Sequence, residues 1–126
     1  MLISALALML TAPDAPAGTG TLWLDGQAIP MTVSGCGVDT ETASASGETP
    51  DGQSVSIMLM RWPGMHSLSV TYDNSQWVHR GPEDSDAAPD IRRWSDDGVL
   101  SAAGAAAVFP PIREDQMEVR FEGRCP

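Results

Sequence analysis

Hydrophobic residues along this chain recur at every second position, separated by polar residues and Asp-Gly pairs. Leu22 and Leu24 share one face of a segment at about 20–24, and Ile29, Met31 and Val33 alternate in 27–34. Val55, Ile57 and Leu59 alternate in 54–62, and Leu68, Val70 and Tyr72 in 66–72. Met117, Val119 and Phe121 alternate with Glu118, Arg120 and Glu122 in 116–123. A period of two is the signature of a strand with one buried face. Turn signals punctuate these segments at Asp25-Gly26, Asp51-Gly52, Asp73-Asn74 and Asp97-Gly98. Such dipeptides suit two-residue hairpin turns, which need positive φ at both central positions. Four hairpins are predicted: 20–24 with 27–34, 42–48 with 54–62, 66–72 with 76–80, and 91–95 with 99–103. A ninth strand at about 116–123 closes the chain.

Two stretches break the pattern. Arg80–Asp90 is acidic, contains proline and is nearly without apolar residues, so it reads as a surface loop. Ser101–Val108 is alanine-rich with Gly104 inside it and Pro110-Pro111 behind it, and reads as strand, then loop. No stretch carries the period of a long amphipathic helix. The expected fold is all-β, an antiparallel sandwich or partly closed barrel of about eight to nine strands.

The N-terminus adds a compartment. Leu2–Leu10 is an unbroken apolar run, followed by Ala15-Pro16-Ala17. That is the hydrophobic region and small-residue cleavage site of a secretory signal, although no basic residue precedes the run. The run falls well short of the roughly 20 residues that span a bilayer. Residues 1–17 are therefore expected to be a signal peptide and 18–126 a single β-domain, secreted or periplasmic, with no transmembrane segment after cleavage. Val33-Ser34-Gly35-Cys36 has the form of a lipobox, but the segment before it carries Asp25, Gly26, Gln27 and Pro30. Without an adjoining apolar run, Cys36 reads instead as a disulfide partner of Cys125. Closing a loop of roughly 90 residues contributes about 4.5 kcal/mol by chain entropy. Cys125 has the parity of the apolar set in its strand. Cys36 has the opposite parity to Val33, so a bulge at Gly35 or Gly37 is needed to turn it inward.

The formal charge is -10, from 17 acids against 7 bases, and every base is arginine. Polyanion binding needs a basic footprint, so nucleic acid is excluded as an expected partner. Enzyme and cofactor motifs are absent: no H-E-x-x-H, G-x-S-x-G or Walker loop occurs. His66 and His79 flank the third hairpin turn and could face each other across it, but two ligands make a poor zinc site. Asp84, Asp86 and Asp90 have the alternate spacing of calcium ligands without the central glycine or closing glutamate of such a loop, and read as solvated. The tryptophans are more telling. Met58, Met60 and Trp62 lie opposite to Val55, Ile57 and Leu59, and Trp23 lies opposite to Leu22 and Leu24. One side must pack the core, which leaves Trp23, Met58, Met60 and Trp62 as a candidate patch for a protein partner or apolar ligand. Trp77 and Trp94 read as core or edge residues.

Gly20–Gly26 (GTLWLDG), a cysteine closing the second strand, His66–Tyr72 (HSLSVTY) and a last strand ending in Gly123-Arg124-Cys125 together resemble the mycobacterial small lipoprotein antigen family. The resemblance implies a non-enzymatic β-domain bridged between its cysteines. That family is lipidated at an N-terminal cysteine that this chain lacks, so membrane anchoring is not carried over. The expected function is an exported binding module of the cell envelope, without catalysis, metal or cofactor. Two alternatives are a small hydrolase or metal-dependent protein using His66, His79 and the acidic loop, and a purely structural envelope protein.

Overall fold

The computed structural model describes residues 16–86, 88–109 and 116–126. The expected signal segment therefore lies, but for Pro16 and Ala17, outside the described residues. Nine strands follow one another: β1 (Thr19–Leu24), β2 (Gln27–Val38), β3 (Thr42–Glu48), β4 (Ser54–Trp62), β5 (Met65–Tyr72), β6 (Ser75–Pro82), β7 (Asp90–Asp96), β8 (Val99–Phe109) and β9 (Gln116–Arg124). All pairings are antiparallel, in the order β6-β5-β4-β3-β2-β1-β9-β8-β7. A further pairing of β6 with β8, over Gln76–Val78 and Ala107–Phe109, joins the sheet to itself. The sheet is thus curled into a barrel. Along one edge of β8, β6 takes the second half and β7 the first.

The turns form where the sequence supplies residues that tolerate positive φ. Asp25-Gly26, Asp73-Asn74 and Asp97-Gly98 each hold both residues there, between 51° and 85°. They are two-residue hairpins of the kind that matches strand twist. Pro63-Gly64 makes a fourth tight turn, between β4 and β5, with Gly64 at φ 86°. Asp51-Gly52 differs from expectation. It sits in a five-residue connection, Thr49–Gln53, closed by backbone bonds from Thr49 N to Gln53 O and from Gly52 N to Thr49 O. The Thr49 hydroxyl donates to Asp51, which stabilises this longer loop over the two-residue turn.

Side chains of one parity fill the interior. Phe121, Leu22, Ile57, Leu59, Leu68, Leu100, Val55, Val70 and Val119 are fully buried, and Met31, Val33 and Trp77 nearly so. Each such side chain contributes about 1.5–3 kcal/mol of hydrophobic stabilisation. Small residues fit where the wall comes close: a β-carbon on Gly47 would lie 1.6 Å from the Thr32 carbonyl oxygen. The alanine-rich segment continues as strand to Phe109, with no switch to loop at its middle. Its partners explain this: β9 pairs along it from Val99 to Ala107, which outweighs the weak strand propensity of alanine. The acidic loop is also shorter than expected, because Arg80, Gly81 and Pro82 pair with Ser67, His66 and Met65 and belong to β6.

Cys36 and Cys125 form a disulfide with Cα atoms 5.8 Å apart. The register of β2 against β3 shifts between Val33 and Gly35, so Ser34 is the extra residue of a bulge. Beyond it Cys36 pairs with Ala45, a residue of the inward set. The bond joins β2 to the end of β9 where β1, which lies between them, begins. Cys36 is nonetheless exposed, because β1 does not extend beside it.

Candidate functional site

One end of the barrel, the mouth, gathers the polar chemistry. It is built from the β2–β3 turn at Asp39–Glu41, the β4–β5 turn, the loop 83–89 and β7. β7 packs Ile91 and Trp94 against the core and straps this end. The Trp94 indole N–H donates to the Asp39 carbonyl at 3.3 Å. The Arg61 guanidinium lies over the Trp94 ring, 4.5 Å from its centroid, and reaches the Ile91 carbonyl at 3.5 Å. Arg61 has the inward parity of β4, which is why it turns across the mouth and not outward.

Asp39 organises the β2–β3 turn. One carboxylate oxygen accepts the backbone amides of Thr42 at 2.8 Å and Glu41 at 2.9 Å. These two bonds, Thr42 first, hold its carboxyl below the usual carboxylate value. Asp90 and Arg92 pair at 2.9 Å on the surface, and the carboxylate raises the arginine further. Exposed pairs of this kind add little stability.

The two histidines do not share a site. β5 and β6 pair His66 with Gly81 and Leu68 with His79, so the rings are two residues out of line and not opposite. His66 lies in a cleft of about 510 Å³ at the mouth with Arg61, Trp62 and Glu83, whose carboxylate is 3.9 Å from its Nε2. His79 points to the β6–β8 seam. Its ring packs against Gly104, where an added β-carbon would lie 3.0 Å from Cγ, and its Nδ1 bonds the Ala105 carbonyl. That bond stands where strand pairing between β6 and β8 stops. Asp84, Asp86 and Asp90 are exposed, and among the described residues no three His, Cys, Asp or Glu side chains converge to hold a metal ion.

The tryptophan and methionine residues separate into two places. Met58, Met60 and Trp62 follow one another along the outer face of β4, with Met58 and Trp62 43% and 48% exposed and Met60 half-buried. Met65, 41% exposed, stands opposite Trp62 across the tight turn and extends the stripe. Sequence reasoning missed Met65. Its parity with Trp62 follows once Pro63-Gly64 is recognised as a two-residue turn. Ser44 and Ser69 flank Met58 on the neighbouring strands and leave it standing clear. Trp23 does not join this stripe. It lies on β1, three strands away and near the opposite end, where the Arg120 guanidinium covers its ring at 4.2 Å. A cation stacked on an indole accounts for Trp23 without a ligand. Trp77 is buried in the core.

Comparison of the chain with protein families, with curated proteins and with solved structures finds no match. Among the described residues no helix is long and apolar enough to cross a membrane.

Proposed function

We propose that this protein is an exported, non-catalytic β-domain of the cell envelope that acts by binding, through the outer face of the β4–β5 hairpin. The observation that carries this reading is the clustering of Met58, Trp62 and Met65, three of the four large hydrophobic side chains exposed among the described residues. Exposed apolar residues scattered singly need no explanation, whereas a contiguous stripe of methionine and tryptophan suits recognition. The packed interior supports an outer surface over an internal ligand site, since Phe121, Leu22 and their neighbours fill the barrel. The disulfide supports an oxidising compartment.

Two measurements test the reading. Alkylation of free thiols in intact cells, followed by mass spectrometry, is expected to find Cys36 and Cys125 unmodified and the mature chain starting near Gly18. Reduced cysteines in the native cell would overturn export. Pull-down from the native envelope is expected to retain a partner with the wild type and to lose it with Trp62→Ala at unchanged melting temperature. A captured set indifferent to Trp62→Ala would overturn the binding face.

A further inference from the structure

The rim of the hydrophobic stripe carries a charge pattern that specifies what kind of partner it accepts. On one side of Trp62 lies a cleft of about 340 Å³ lined by Asp39, Thr40, Glu41 and Thr42. It contains two carboxylates and no base. Among the described residues neither Asp39 nor Glu41 enters an ion pair, unlike Glu83 with His66 and Asp90 with Arg92. Asp39 is held ionised by two backbone amides of its own turn. The adjoining cleft shares Thr40, Glu41 and Trp62 with this one and adds Arg61, His66 and Glu83, and the arginine is already engaged by the Trp94 ring and the Ile91 carbonyl. An exposed indole beside uncompensated carboxylates attracts a cation by its ring face and by Coulomb interaction together. The neighbouring methionines attract apolar side chains. The whole chain, at -10, steers a positively charged partner toward it and repels an anionic one.

We infer that the occupant of this face is a basic, apolar-bearing segment of a partner protein, with Lys or Arg side chains set against Asp39, Glu41 and the Trp62 ring, and apolar side chains against Met58 and Met65. The inference rests on the reading of the β4–β5 hairpin as a binding face and narrows it to one chemistry.

The test uses short fluorescein-labelled peptides and the folded, oxidised protein, read by fluorescence anisotropy. One peptide alternates Leu with Lys, a second Leu with Glu, and a third Ser with Lys. The Leu–Lys peptide is expected to bind at low salt and to weaken as salt screens the carboxylates. The Leu–Glu and Ser–Lys peptides are expected not to bind. Trp62→Ala is expected to weaken binding about tenfold or more, as a central aromatic anchor does. Asp39→Asn with Glu41→Gln is expected to weaken it several-fold, and the asparagine keeps the oxygen that accepts the turn amides. Glu41→Gln alone, at a side chain that holds no backbone group, is expected to give part of that loss. Asp25→Asn with Asp73→Asn changes the net charge equally at the opposite end and is expected to have no effect. Equal binding of the Leu–Lys and Leu–Glu peptides, both lost in Trp62→Ala, would overturn the basic partner and leave the binding face standing. Equal losses from the two charge pairs would overturn the location. Peptide binding unchanged by Trp62→Ala, or no binding by any peptide, would overturn both readings.

Discussion

Replacing Cys36 and Cys125 together by serine removes a cross-link between residues separated by 89 positions and little else. Cys36 is exposed and Cys125 half-buried, so the substitution opens no core cavity and buries no new hydroxyl without water. The change therefore isolates the effect of the cross-link on the unfolded chain. The chain-entropy argument puts that effect at about 4.5 kcal/mol. Domains of this size have a net stability of about 5–15 kcal/mol, so the loss is a large share of the whole. With a urea slope of about 1–3 kcal/mol per molar, the unfolding midpoint is expected to fall by about 1.5–4.5 M. The slope itself is expected to rise, because the uncrosslinked chain exposes more surface when unfolded. Urea titration followed by tryptophan fluorescence and circular dichroism measures both. Wild type with a thiol reductant is expected to reproduce the variant, since the bond is accessible. A midpoint shift under about 0.5 M with an unchanged slope, which amounts to about 1.5 kcal/mol or less, would refute the reasoning.

Two further outcomes are expected. Gly47→Ala places a β-carbon 1.6 Å from the Thr32 carbonyl oxygen and 2.7 Å from its carbon, which are backbone atoms that cannot rotate away. A loss of about 3–5 kcal/mol in the same urea titration is expected, and a midpoint within experimental error of wild type would contradict the close approach of β2 and β3. Asp39→Asn tests the acid limb of stability. A carboxyl held below 3.8 contributes stability above that pH, and the contribution disappears as pH falls through its folded value. The melting temperatures of wild type and Asp39→Asn are expected to differ at neutral pH and to converge in strong acid. A difference that stays constant across the whole range would show that the Thr42 and Glu41 amides do not favour the charged form.

The hairpins were readable because their information is local. Asp25-Gly26, Asp73-Asn74 and Asp97-Gly98 state their turn geometry in two residues, and the alternation around them states which face is inward. The need for a bulge near Gly35 was also readable, from the parity conflict between Val33 and Cys36, and the register shift at Ser34 supplies it. Closure of the sheet was not. The pairing of Gln76–Val78 with Ala107–Phe109 joins segments far apart in sequence, and no pattern in either specifies the other. The same holds at the mouth, where Arg61, Trp94 and Asp39 meet only because β7 crosses it. Of the candidate patch, the β4 side chains follow from parity, whereas separating Trp23 from them requires the strand order and the stacking of Arg120.

The two ends of the described barrel meet. Gly18 N donates to the Arg124 carbonyl at 3.0 Å, and β1 and β9 are neighbours in the sheet. With β6 also joined to β8, strands β1 to β6, β8 and β9 form a ring, and β7 lies beside it, paired to β8 alone. The strand pairing therefore does not fix where the chain enters the barrel. A chain linked from Pro126 back to Gly18 and reopened at Asp73-Asn74 would keep every strand pairing, and would carry its free ends to the far side of the molecule from Trp62.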